Sequence, residues 1–182
     1  MKRLTFLPVI VLAAAACSDT ATTPSTPRTP QLPLVASADI NGPSGAHLVT
    51  GTPQPSCGVN SDRSVGCNSY EIAGVGNTNA VANLTATFSA TIDCFNPGVN
   101  PNNPVESHTT TFSQTKRTGQ ISPKNGRLTI PPLSVTPFSA PQVCPNPNWT
   151  PVIRGGSVTL RSFTYNVTFE GFNTPFILIT GP

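Results

Sequence analysis

Charge is what this sequence has least of. Asp, Glu, Lys and Arg supply 9 % of its 182 residues, against roughly 25 % in an average soluble domain. The formal charge of +3 includes Lys2 and Arg3, and without those two the chain carries 8 basic against 7 acidic residues. Such a balance gives no electrostatic reason to bind nucleic acid, or an anionic bilayer through a basic patch. Histidine is nearly as scarce. His47 and His108 are the only two, and neither lies near Asp, Glu or Cys at a metal-ligand spacing. The cysteines show no C-x-x-C pair, which argues against a four-cysteine zinc site. No G-x-S-x-G elbow exists to present a serine nucleophile. Gly74-x-Gly76 lacks the third glycine of a phosphate cradle and reads as a turn. No metal or cofactor is expected from this inventory.

What the chain has instead is Thr, Asn, Ser and 21 prolines. Together with the absence of any amphipathic helix of convincing length, that composition reads as all-β and extracellular. The length suits one domain plus a tail.

The N-terminus carries an address. Lys2 and Arg3 precede the apolar run Leu4 to Ala16, which is too short for a permanent span and has the layout of a signal peptide over 1–16. The run ends in Ala14-Ala15-Ala16-Cys17, which resembles the lipobox of bacterial lipoproteins, although Ala14 stands where that family most often has Leu. The resemblance implies diacylation of Cys17 and anchoring in a bacterial envelope. Ala14-x-Ala16 also fits a plain secretory cleavage site, so simple secretion is the alternative. The cysteine count favours the lipid. Five cysteines, Cys17, Cys57, Cys67, Cys94 and Cys144, are an odd set for an oxidising compartment, and acylating Cys17 leaves four to pair.

Residues 17–40 read as a disordered linker, with Pro24, Pro27, Pro30 and Pro33 at a spacing of three giving a semi-extended polyproline II stalk. The β domain is expected over 41–182. Its clearest element is Ala82 to Cys94, where Ala82, Leu84, Ala86, Phe88, Ala90, Ile92 and Cys94 alternate with polar residues at a period of two. Phe163, Tyr165, Val167 and Phe169 alternate likewise, offset by one from Val158 and Leu160. A bulge near Arg161 and Ser162 keeps both sets facing the core. The apolar run Phe176 to Thr180 suits a strand buried on both sides, or one zipped against a neighbour. Val35 to Gly58 reads two ways: Ala46 to Thr50 could form a first strand, yet Pro43, Pro53 and Pro55 break up any longer element. Weaker strands are expected at Tyr70 to Val75, Ser107 to Thr115, Gly119 to Ser122 and Arg127 to Ile130. Asn125-Gly126 gives the last two a hairpin turn. Short strands between Pro, Gly and Asn turns imply a single antiparallel β-sandwich, with the immunoglobulin-like Greek key as the nearest large class.

Four cysteines can pair in three ways. Local pairing favours Cys57 with Cys67 and Cys94 with Cys144. Cys94-Phe95-Asn96-Pro97-Gly98, Lys124-Asn125-Gly126-Arg127 and Cys144-Pro145-Asn146-Pro147-Asn148-Trp149-Thr150 resemble segments of a family of exported bacterial β-rich proteins of undefined activity. The resemblance covers Tyr70 to the C-terminus. It implies secretion and a paired Cys94 and Cys144, and it brings no active site.

Few residues remain that could carry chemistry. Trp149, in a Pro-rich loop-like stretch, is the candidate contact for a glycan or protein ligand; the alternative, and the preferred reading, packs it against the neighbouring disulfide. Asp93 and Glu106 flank one loop and, with Glu170, are the carboxylates that a hydrolytic cleft would need to bring together. The competing reading is solvated charges at strand ends. Asn83-Leu84-Thr85, Asn148-Trp149-Thr150 and Asn166-Val167-Thr168 match glycosylation acceptors and are read as chance in an Asn/Thr-rich chain. The expectation is therefore a lipid-anchored, non-catalytic binding or envelope-structural module. The alternatives are a self-associating subunit using Phe176 to Thr180, or an envelope hydrolase.

Overall fold

Alternation of apolar with β-favouring polar residues makes strands, and the computed structural model, which describes residues 41–98, 103–137 and 143–182, places them as follows. In chain order they are β1 (His47–Leu48), β2 (Cys57–Val59), β3 (Val65–Cys67), β4 (Tyr70–Ala73), β5 (Ala80–Phe95), β6 (Glu106–Arg117), β7 (Arg127–Ile130), β8 (Leu133–Val135), β9 (Thr150–Ile153), β10 (Thr159–Phe169) and β11 (Ile177–Gly181). The leader, Cys17 and the stalk all lie outside the described residues.

The first layer is built on β5. Its even residues from Ala80 to Cys94 are all buried, and Val81, Asn83, Thr85, Thr87, Ser89, Thr91 and Asp93 face the other way. One edge of β5 pairs with β6 over Asn83 to Cys94. Its other edge takes β10 along the first half and β9 along the last four residues, and β11 completes the layer outside β10. The expected bulge is present: the β5–β10 register shifts between Leu160 and Ser162. Arg161 is the extra residue, and its Nε donates to Ser89 Oγ at 2.8 Å.

Six short strands make the second layer, in the orders β1-β4-β7 and β2-β3-β8. Their registers continue one another. Val65 faces Val135, Cys67 faces Leu133, Tyr70 faces Ile130 and Ala73 faces Arg127, so neither chain gains a residue across the gap. The ladder breaks where Pro131 and Pro132 bring no N–H. Ser69 Oγ, opposite the break, donates to the Ile130 carbonyl at 2.7 Å.

The chain crosses between layers after β4, after β6 and before β9. Consequently β7 and β8 return to pair with β4 and β3, and β10 returns to pair with β5. Two antiparallel layers with these crossings form the expected single β-sandwich. Between them lie Phe88, Phe163, Phe169 and Ile179 from the first layer and Ile72, Leu128 and Ile130 from the second. Tyr70 and Tyr165 join the layers through the core, hydroxyl to hydroxyl at 3.0 Å. Burial raises both phenols above the ordinary tyrosine range, Tyr165 to about 12.

Two disulfides staple the sandwich, as local pairing suggested. Cys57–Cys67 joins facing residues of β2 and β3, and Cys94–Cys144 ties the end of β5 to the segment before β9. Loops of 10 and 50 residues correspond, in the chain-entropy picture, to about 3 and about 4 kcal/mol of stabilisation. Disulfides of this kind suit an oxidising compartment.

Several expectations change. Phe176 to Thr180 is not buried on both sides: β11 is an edge strand with Ile177 and Ile179 inward and Leu178 and Thr180 outward. The Asn125-Gly126 turn forms, with φ of 52° and 73°, closed by mutual backbone bonds between Lys124 and Arg127. Its flanking segments do not pair with each other, however, because Arg127–Ile130 pairs with β4 and Gly119 to Ser122 contributes one bridge, Ile121 to Ala80. The Ala46 to Thr50 strand shrinks to β1. The Tyr70 strand stops before Gly74, whose φ is 72° and where an added Cβ would come within 2.0 Å of the Gly45 carbonyl oxygen.

Candidate functional site

The 16 residues of β5 span ~50 Å at about 3.3 Å per residue, and polar side chains gather at both of its ends. At the C-terminal end Asp93 accepts from Arg154 twice, Nε at 3.1 Å and Nη2 at 2.7 Å. It also accepts from Ser107 Oγ at 2.6 Å. The Arg154 guanidinium and then the Ser107 hydroxyl hold the Asp93 carboxyl below the usual carboxylate range. Behind this pair, on the inner face, Ile92, Cys94 and Cys144 are buried, with Trp149 and Ile153 packed against them. Trp149 is half-buried. The indole thus packs against the buried cluster that holds Cys94 and Cys144.

Glu106 does not join Asp93. It faces Cys94 across the β5–β6 ladder, whereas Asp93 faces Ser107. Facing residues share a side of the sheet and successive residues alternate, so the two carboxylates point to opposite faces. Glu170 is farther still. Its N–H donates to the carbonyl of Asn79 at the opposite end of β5, 14 residues and therefore ~45 Å from Asp93. The carboxylate cluster that a hydrolytic cleft requires is not formed.

The histidines also stand apart. His47 is exposed, with Nδ1 2.7 Å from the Gly45 carbonyl oxygen. His108 lies on the inner side of β6, facing Ile92, with Nδ1 buried and unpartnered among the described residues. Of the acceptor triplets, Asn83 and Asn166 sit side by side across β5 and β10, Nδ2 of one donating to Oδ1 of the other at 3.2 Å.

The N-terminal end of β5 is open. A cleft of about 300 Å³ is lined there by Asn79, Asn83, Arg117, Gln120, Glu170 and Phe172, among others. Glu170 Oε2 accepts from Asn79 Nδ2 at 2.9 Å and from Gln120 Nε2 at 3.0 Å. Phe172 packs edge-on against Phe169, ring centroids 6.4 Å apart, and is itself half-buried. The Arg117 guanidinium has no ion pair among the described residues. Three segments distant in sequence meet here because Glu170 follows β10, Asn79 precedes β5 and Gln120 follows β6, and the pairings of β10 and β6 with β5 converge at this corner. Gly171, at φ 83°, turns the chain sharply enough to bring Phe172 back beside Phe169. The carboxylate, amides, guanidinium and aromatic edge around one opening can hydrogen-bond vicinal hydroxyls and cover an apolar ring face.

The sequence picked out Glu170 only as one scattered acid. Asn79, Gln120 and Phe172 gave no signal in it. A search of protein-family models, curated proteins and solved structures finds no match to the chain.

Proposed function

We propose that the chain is a lipid-anchored binding module of the bacterial envelope, held by Cys17 on its Pro-rich stalk. Its sandwich is non-catalytic and presents the Glu170 cleft to a neutral, hydroxyl-rich ligand of the saccharide class. One observation carries this reading. The Glu170 end is where polar groups of three kinds and an aromatic edge surround an open space, while the polar groups of the Asp93 end bond to one another. A carboxylate oxygen held by two amides is pre-oriented, and ordering it costs a ligand little. The near-neutral charge of the chain beyond its leader suits a neutral ligand better than a polyanion. The two disulfides support the exported setting.

A glycan array probed with the full-length protein tests the reading. Binding by the wild type, lost in Glu170→Gln and Phe172→Ala and kept in Trp149→Ala, is the expected pattern. No binding by the wild type, or loss in Trp149→Ala alone, rejects the cleft as the site.

A further inference from the structure

Sheet edges are sites of unwanted pairing, and folded proteins blunt them with short strands, proline, bulges and charge. This chain does so at nearly every edge. Strand β11 has 5 residues and lies between Pro175 and Pro182. Strand β9 carries Pro151, β1 and β2 have 2 and 3 residues with Pro53 and Pro55 between them, and the β7–β8 edge is cut by Pro131 and Pro132. Strand β6 is the exception. It is an edge strand of 12 residues, Glu-Ser-His-Thr-Thr-Thr-Phe-Ser-Gln-Thr-Lys-Arg, with no proline, no glycine and an unshifted register against β5. In a chain with 21 prolines, the longest edge strand among the described residues has none.

The free side of β6 can be assigned atom by atom. Thr118 N–H donates to the Ala82 carbonyl, and the next pairs of that register, Asn83 with Arg117 and Leu84 with Lys116, follow in step. Antiparallel ladders alternate bonded and non-bonded pairs. The even residues of β6 therefore bond to β5, and the odd residues Ser107, Thr109, Thr111, Ser113 and Thr115 direct N–H and C=O outward. Their side chains lie on the outer face of the layer, facing Asp93, Thr91, Ser89, Thr87 and Thr85.

We infer that β6 is a self-pairing edge, and that two copies of this chain join antiparallel through it about a two-fold axis at Thr111. The charge pattern selects both partner and register. With Thr111 opposite Thr111 of the second copy, Glu106 falls opposite Lys116 at both ends of the ribbon. Thr109 then falls opposite Ser113, and Ser107 opposite Thr115. Odd residues meet odd ones, so every outward N–H and C=O finds a partner and the outer face continues unbroken. A shift of two residues in either direction keeps the faces matched but moves Glu106 away from Lys116. His108, whose Nδ1 has no partner among the described residues, falls opposite Gln114 of the second copy. The second layer does not join in, because Pro131 and Pro132 interrupt the edge lying below β6.

Cross-linking in the full-length protein, expressed with its own N-terminus in a bacterial envelope, tests both the pairing and its register. Thr111→Cys alone should give a reducible covalent dimer, as should Thr109→Cys combined with Ser113→Cys. Thr109→Cys alone should not, because it faces residue 113 and not itself. In solution, Glu106→Lys should weaken the dimer roughly tenfold by replacing attraction with repulsion at both ends, and adding Lys116→Glu should restore it. Thr111→Pro removes an outward N–H that has no partner among the described residues, and should leave a folded monomer. A wild-type protein that stays monomeric at about 100 µM, far above the dissociation constant of a specific interface, overturns the inference. So does cross-linking that is equal for all three cysteine variants or absent from all.

Discussion

The two ends of β5 are made from similar residues and put to opposite uses. At one end a carboxylate, a guanidinium and a hydroxyl close on one another, with Asp93, Arg154 and Ser107 between 2.6 and 3.1 Å. A disulfide and the single tryptophan lie behind them. At the other end a carboxylate is held by two amides, and the nearby guanidinium of Arg117 has no ion pair among the described residues and lies beside an open cleft. Satisfied polar groups hold a fold together, and those left facing a cavity are available to a ligand. Where a side chain's bonds end therefore says more about its role than which residue type it is.

The contrast should separate stability from binding. Removing the bridge at the closed end with Cys94→Ser and Cys144→Ser together should cost about 4 kcal/mol, read as a lower denaturation midpoint, with glycan binding of the surviving folded fraction unchanged. Midway along β5, Tyr165 faces Leu84 and bonds Tyr70 across the core. Tyr70→Phe should cost about 1 to 3 kcal/mol by stranding the Tyr165 hydroxyl, and the double Phe variant should recover much of that loss. Both phenols are raised in the folded state, so their contribution is complete below about pH 10 and is lost as pH rises through the folded values. A wild-type stability that falls steeply above pH 10, with a fall absent from the double variant, checks the sign.

Trp149→Ala should cost about 1 to 2 kcal/mol for a half-buried ring and leave binding intact. Asp93→Asn is read as a pH profile. The folded carboxyl titrates below its unfolded value, so its contribution is present above about pH 4 and fades as pH falls through the folded value. The variant should be less stable at neutral pH and show a flatter acid limb. At the open end, Glu170→Gln keeps an amide oxygen where the carboxylate oxygen was, and should change stability by under about 0.5 kcal/mol while weakening binding about tenfold.

The parts of this structure that were legible beforehand are those written locally. Strict alternation over Ala82 to Cys94 gave the central strand and its buried face. The one-residue offset between Leu160 and Phe163 gave the bulge at Arg161. Four cysteines, with local partners nearest, gave both disulfides. Strands β2, β3 and β8 were not legible, since a period of two cannot be recognised in three residues. Nor was the partner of Arg127–Ile130: an Asn-Gly turn specifies a reversal, and the long-range ladder with Tyr70–Ala73 decides what the returning strand pairs with. The cleft was hidden for the same reason. Asn79, Gln120 and Glu170 lie as far as 91 residues apart in the chain, and only the shared registers on β5 bring them together.

The most direct test measures one saccharide, identified on the array, against three full-length proteins side by side: wild type, Glu170→Gln and Trp149→Ala, each with its unfolding midpoint. The open-end assignment predicts that Glu170→Gln loses affinity at unchanged midpoint, while Trp149→Ala loses midpoint at unchanged affinity. The reverse pattern, or both properties falling together in both variants, contradicts it.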